Sequence, residues 1–180
     1  MPSKSIVALY WESRASAPSE SAAALLPAFE ALRCAGFGVF FRKGRSKKAA
    51  TAQPLVISHE SLEELLSQGA NLRDVGRQPI LELGQSLGLW SGGPEDEAYA
   101  LAVQIGSTSP HSRNCFVLQL PGTGPHSLAS TSIEVKTMFT ALVQLLLPSQ
   151  AIVCEASAIR WEDSVLAANI PHLVRYKRAA

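Results

Sequence analysis

Tyr99, Leu101, Val103 and Ile105 alternate with Ala98, Ala100, Ala102 and Gln104, and Phe116, Leu118 and Leu120 repeat the pattern shortly after. Successive side chains of an extended chain point to opposite faces, so this period of two predicts half-buried strands. The polar loop 106–113 makes the pair, residues 99–105 and 115–120, an antiparallel hairpin with a long connection. Such a sheet has an apolar face that something must cover, and the segment 132–147 can do so. There Val135, Met138, Phe139, Leu142, Leu145 and Leu146 recur at helical spacing as a continuous stripe. Thr131 and Glu134 have capping-box spacing, and Pro148 stops the helix.

The other elements are shorter. Residues 5–11, rich in Val, Ile and Tyr, read as a first strand. The Ser-, Pro- and Ala-rich stretch 15–20 leads into a helix that buries Ala22, Leu25, Phe29 and Leu32. Pro27 within it implies a kink or a late start, and Gly36 is placed to cap its end. Residues 38–41 read as a short strand. A second helix opens on Ser58, carries Glu60 in its first turn, buries Leu62, Leu65 and Leu66, and ends at Gly69. Residues 85–90 and 151–154 read as further strands, and Gly92, Gly93 and Pro94 mark a turn. Strands cluster in the middle and helices do not alternate with them. The expected class is α+β: a single domain over residues 1–180, with a mainly antiparallel sheet covered by helices.

Sixteen Lys and Arg against fifteen Asp and Glu leave a net charge of +1, so bulk charge draws the chain neither to nucleic acid nor to an anionic membrane. The basic run Arg42, Lys43, Arg45, Lys47 and Lys48 follows Phe40 and Phe41, as in a single-strand binder, but reads as a solvated loop. The basic end at Arg175, Lys177 and Arg178 reads as a solvated tail, and direct nucleic-acid binding is not expected. The apolar stretch 142–147 is interrupted by Gln144 and closed by Pro148, too short to span a bilayer. The first residues lack a small-residue cleavage site, which points to a cytoplasmic protein. Cys34, Cys115 and Cys154 form no CxxC and read as small buried residues in a reducing compartment. His59, His111, His126 and His172 lack metal-ligand spacing, so neither a metal nor a cofactor is expected.

Gly84-Gln85-Ser86-Leu87-Gly88 matches the G-x-S-x-G nucleophile elbow, with residues 80–83 as the strand before it and Asp96 or Asp163 and then His172 following in hydrolase order. A small serine hydrolase using Ser86 is therefore the alternative function. An elbow needs a helix directly after the serine, and residues 87–90 read as strand. The acidic triplet Glu95, Asp96 and Glu97 sits on the turn beside Trp90. As a solubilising loop it needs no explanation. As an acid and aromatic cluster it is suited to a positively charged groove on a partner.

Several segments together resemble the immunity protein 52 family. These are Leu9-Tyr10-Trp11, the stretch from Phe41 to Ala49, Asn71-Leu72-Arg73-Asp74-Val75, and above all Leu83 to Trp90 followed by an acidic turn and a long alternating strand. The resemblance covers roughly the first two thirds of the chain. It implies a non-enzymatic protein that binds and neutralises a cognate toxin with a restriction-endonuclease-like domain, delivered by type VI secretion or a related system, in the cell that makes it. Trp11, Trp90 and Trp161 are the available aromatic anchors, and Glu95, Asp96, Glu97 and Trp90 the expected toxin-binding residues. A scaffold or adaptor in a bacterial assembly is a third possibility.

Overall fold

In the computed structural model, which describes residues 4–42, 54–94, 96–110, 112–155 and 174–177, the strands assemble into one antiparallel sheet. Its strands are β1 (Ser5–Trp11), β2 (Phe41–Arg42), β3 (Gln85–Trp90), β4 (Ala100–Ile105), β5 (Asn114–Leu120), β6 (Gln150–Glu155) and β7 (Val174–Lys177). The helices are α1 (Pro18–Cys34), α2 (His59–Gln68) and α3 (Ser132–Leu146). The spatial order is β2-β3-β4-β5-β1-β6-β7, so the first strand lies inside the sheet, between β5 and β6. The α+β class and the β4–β5 pairing agree with the sequence reading. Residues 38–41 were expected as a strand; only Phe41 and Arg42 pair, against Trp90 and Leu89.

Register decides which side chains share a face. Val7 stands beside Leu118 and Val153, Leu9 beside Phe116 and Ala151, and Leu101 beside Leu118 and Leu89. These residues form one core with Leu25, Phe29 and Leu32 of α1, Leu62 and Leu66 of α2, and Val135, Met138, Phe139 and Leu142 of α3. Each fully buried Leu or Phe there stabilises the fold by about 1.5–3 kcal/mol. All three helices lie on this side, with α1 packed against both α2 and α3. On the opposite face Ile6, Ala8, Ile152 and Cys154 form a small buried cluster, whereas Ser86, Gly88 and Ala102 are exposed.

The helix ends follow local chemistry. Pro18 opens α1, where its missing N–H costs nothing, and Glu20 accepts a bond from the Ala17 N–H, so the helix runs through Pro27 rather than starting after it. At its end the Gly36 and Phe37 N–H groups donate to the Arg33 and Leu32 carbonyls, and Gly36 takes φ +88°, a Schellman closure. Ser58 and Ser61 cap α2 reciprocally. The expected Thr131–Glu134 box does not form: the Thr131 hydroxyl donates to the Ser127 carbonyl at 2.8 Å instead. Leu145, expected in the α3 stripe, is exposed, and Val143 is buried in its place. At 100° per residue Leu145 falls about 90° from the stripe's centre, on its flank.

Burial pushes the thiols of Cys115 and Cys154 up, so both are inert, uncharged packing groups. Cys34, expected to be buried, is exposed at the end of α1. Among the described residues no helix is long and apolar enough to cross a membrane.

Candidate functional site

At the distal end of β3 the chain leaves the sheet through Ser91 and returns at Tyr99. The Ser91 N–H donates to the Tyr99 carbonyl at 2.9 Å, and the Tyr99 N–H donates to the Ser91 hydroxyl at 3.0 Å, closing the base of the turn. Within it the Glu97 and Ala98 N–H groups both donate to the Pro94 carbonyl. The Thr123 hydroxyl reaches the Asp96 carbonyl at 3.4 Å, and a Cβ at Gly124 would lie 3.4 Å from Glu97 Cγ, so the turn rests on the loop after β5. Asp96 and Glu97 are exposed; Glu95 lies outside the described residues.

Tyr99 is the support beneath this turn. Its ring is 1% exposed and makes edge contacts with Phe37, Phe40 and His126. Its hydroxyl donates to the Val39 carbonyl at 2.8 Å and accepts from the Val39 N–H at 3.0 Å. Desolvation raises its pKa, which keeps the phenol protonated and able to donate. The alternation placed Tyr99 in a strand but gave no sign of this hydroxyl pairing.

Trp90 shares its face with Ser86 and Gly88, opposite the helices, and is half-buried with Phe41 as ring neighbour at 6.4 Å. It is no part of the core beneath the helices. Trp11 is used internally instead: its indole N–H donates to the Leu146 carbonyl at 2.6 Å, tying the end of α3 to β1. Trp161 and most of the basic run, Lys43 to Lys48, lie outside the described residues, as do His111, Asp163 and His172.

The G-x-S-x-G segment is not a nucleophile elbow. Leu81–Leu83 is a single 3-10 turn rather than a strand, and Ser86 lies within β3, which continues to Trp90 with no helix. The Ser86 hydroxyl donates to the Gly69 carbonyl at 3.1 Å. Asp96 belongs to the turn beyond the other end of β3. Among the described residues no group of His, Cys, Asp and Glu is gathered as a metal site requires.

Below β3, two buried amides organise the other end of the sheet. Asn114 donates to the carbonyls of Glu12 and Ser107 and accepts the Ser107 N–H at 2.8 Å. Gln85 donates to the Ser16 carbonyl and accepts from the Ser21 hydroxyl. The period of two puts Gln85 on the face of Leu87 and Leu89 and Asn114 on that of Phe116 and Leu118, but gives no sign of these bonds.

The sequence profile of a family described as Immunity protein 52 matches residues 5–171 of the chain. No curated protein matches it. Among solved structures, a T6SS protein of Pseudomonas aeruginosa is similar at 13% identity and a TM-score of 0.47 over 85% of this chain, which spans 41% of that protein's chain.

Proposed function

Since the chain belongs to the immunity protein 52 family, we propose that it binds and silences a cognate toxin in the cytoplasm of the cell that makes it, without catalysing a reaction. The toxin in this reading has a restriction-endonuclease-like nuclease domain and is delivered by type VI secretion or a related system. The observation that carries the reading is the family match over residues 5–171 of the 180 in the sequence. A nuclease grips DNA through a basic groove, and an inhibitor must compete with that polyanion. The net charge of +1 disfavours a purely electrostatic plug, so the contact is shape-specific with a local acidic element.

Glu95, Asp96, Glu97 and Trp90 are the proposed contact. Two features support them: Asp96 and Glu97 are exposed on a braced turn, and Trp90 lies on the sheet face that the helices leave free. Exposed rim charges act on the association rate, whereas a desolvated ring acts on dissociation. Reversing the three acids to Lys is expected to slow association about tenfold or more at low salt and to flatten its salt dependence. Stopped-flow kinetics with the toxin domain measure this, and wild-type association rates at low salt would remove the turn from the interface.

The serine hydrolase reading makes an opposite demand. Ser86→Ala is expected to leave neutralisation unchanged, and turnover of activated esters by the wild-type chain but not by this variant would contradict a binding-only role.

A further inference from the structure

On the face away from the helices the sheet has two kinds of surface. Ala8 of β1 stands beside Val117 of β5, and Val117 stands beside Ala102 of β4. The two alanines therefore lie at one level of the same face, two strands apart. Ala102 is exposed, whereas Ala8 is fully buried. Around Ala8, Ile6 is 3% exposed, Ile152 1% and Cys154 4%, and Val117 is half-buried. Side chains stand roughly perpendicular to a sheet, so neighbours on the same face shield a methyl group only from the sides. Burial from above needs a second layer. All three helices pack on the other side, so they do not supply it. The layer covers β1 and β6 and gives out at β5.

Few stretches of the chain could form it. Residues 43–53 follow β2, four strands from β1, which is about 19 Å at about 4.8 Å per strand. They also hold no apolar residue larger than Ala. The stretches 1–3 and 178–180 are too short to shield four side chains. Residues 156–173 remain. They connect β6, which ends at Glu155, to β7, which begins at Val174 and pairs with Val153. Both ends of this connection sit at the same end of the β6–β7 pair, beside Cys154. A hairpin closes in about two to five residues, so most of the stretch is not needed as a turn. It carries Ile159, Trp161, Val165, Leu166, Ile170 and Leu173, apolar residues that a connection lying in water does not need.

We infer that residues 156–173 pack across β1 and β6 on the face opposite the helices and seal Ile6, Ala8, Ile152 and Cys154. The occupant of that face is thus a segment of the same chain. The inference does not depend on what the chain binds, but it narrows where a partner can bind. The sheet surface left open is that of β3 and β4, with Ser86, Gly88 and Ala102 exposed. In the immunity reading, toxin contact on this face is confined to the half that adjoins Trp90 and the acidic turn.

Cys154 reports this packing directly, and Cys34, which is exposed, gives the rate of an open thiol in the same molecule. The full chain is labelled with iodoacetamide and each cysteine is read by mass spectrometry. Cys34 is expected to react about a hundredfold faster than Cys154, or more. Exchanging residues 156–171 for Asn-Gly keeps the β6–β7 register and removes the cover. Labelling of Cys154 is then expected to rise about tenfold or more, with Cys34 unchanged and the far-ultraviolet circular dichroism still that of a folded sheet. Leu166→Asp with Ile170→Asp keeps the full length, is expected to act in the same direction, and decides the matter if the shortened chain does not fold. Wild-type Cys154 reacting as fast as Cys34 would mean that the face is open. Folded variants that keep Cys154 protected would mean that something else covers it. Either result overturns the inference. Protection that is lost on dilution, as a dimer dissociates in sedimentation, assigns the cover to a second copy and overturns it as well.

Discussion

Phe139→Ala is expected to lower unfolding free energy by about 3–5 kcal/mol. Phe139 is 7% exposed on α3, in the stripe with Val135, Met138, Leu142 and Val143. The helix is fixed against both sheet and α1: Trp11 holds its last turn to β1, and its apolar residues share one core with Leu25 and Leu32. A helix held at both places has little freedom to collapse into the cavity that the missing ring leaves, so the cavity cost adds to the lost burial. Urea unfolding measures the change from the shift in midpoint at constant slope. A loss below about 1 kcal/mol would mean that α3 does not seat its stripe on the sheet.

Gly84→Ala is the second large effect, and it explains half of the misleading serine motif. Gly84 has φ +63° and ψ −149°, a region open in practice only to glycine. A Cβ there would lie 2.3 Å from the Ile105 carbonyl oxygen and 2.6 Å from backbone atoms of Gly106 and Ser107. None of these can rotate away, so β3 and the β4–β5 loop must part. Strain of about 1–3 kcal/mol and overpacking of similar size sum to about 2–6 kcal/mol. Gly88, at the other end of the motif, has nothing within 4 Å of an added Cβ. Gly88→Ala is expected to stay within about 0.5 kcal/mol. Equal effects at the two glycines, in the same urea experiment, would contradict this division of roles.

The pattern G-x-S-x-G was legible in the sequence; its cause was not. One glycine is demanded by backbone approach to a loop more than twenty positions on, and such non-local contacts leave no periodic trace. The same limit explains the sheet order. Residues 5–11 announce a strand by composition, yet nothing local says that β1 lies between β5 and β6. Elements with a strong period, namely β3, β4, β5, α2 and α3, were legible nearly to their ends. At Thr131 the capping-box spacing is present without the box: the hydroxyl makes no cap bond and donates back to the Ser127 carbonyl, a contact of the preceding turn that the spacing does not encode.

For the candidate site, Gly92, Gly93 and Pro94 correctly marked a turn after Trp90. The period of two sets Trp90 with Ser86 and Gly88 and opposite Leu87 and Leu89; that the helices leave this face free is a non-local fact the strand does not carry.

The central claim is that this chain acts by occupying a toxin. The most direct test follows substrate cleavage by the purified toxin domain while the full chain is added. Cleavage is expected to fall in proportion to added chain and to cease at stoichiometric amounts, with both proteins recovered intact in one complex. Cleavage that continues at its original rate with the chain in excess would contradict the account.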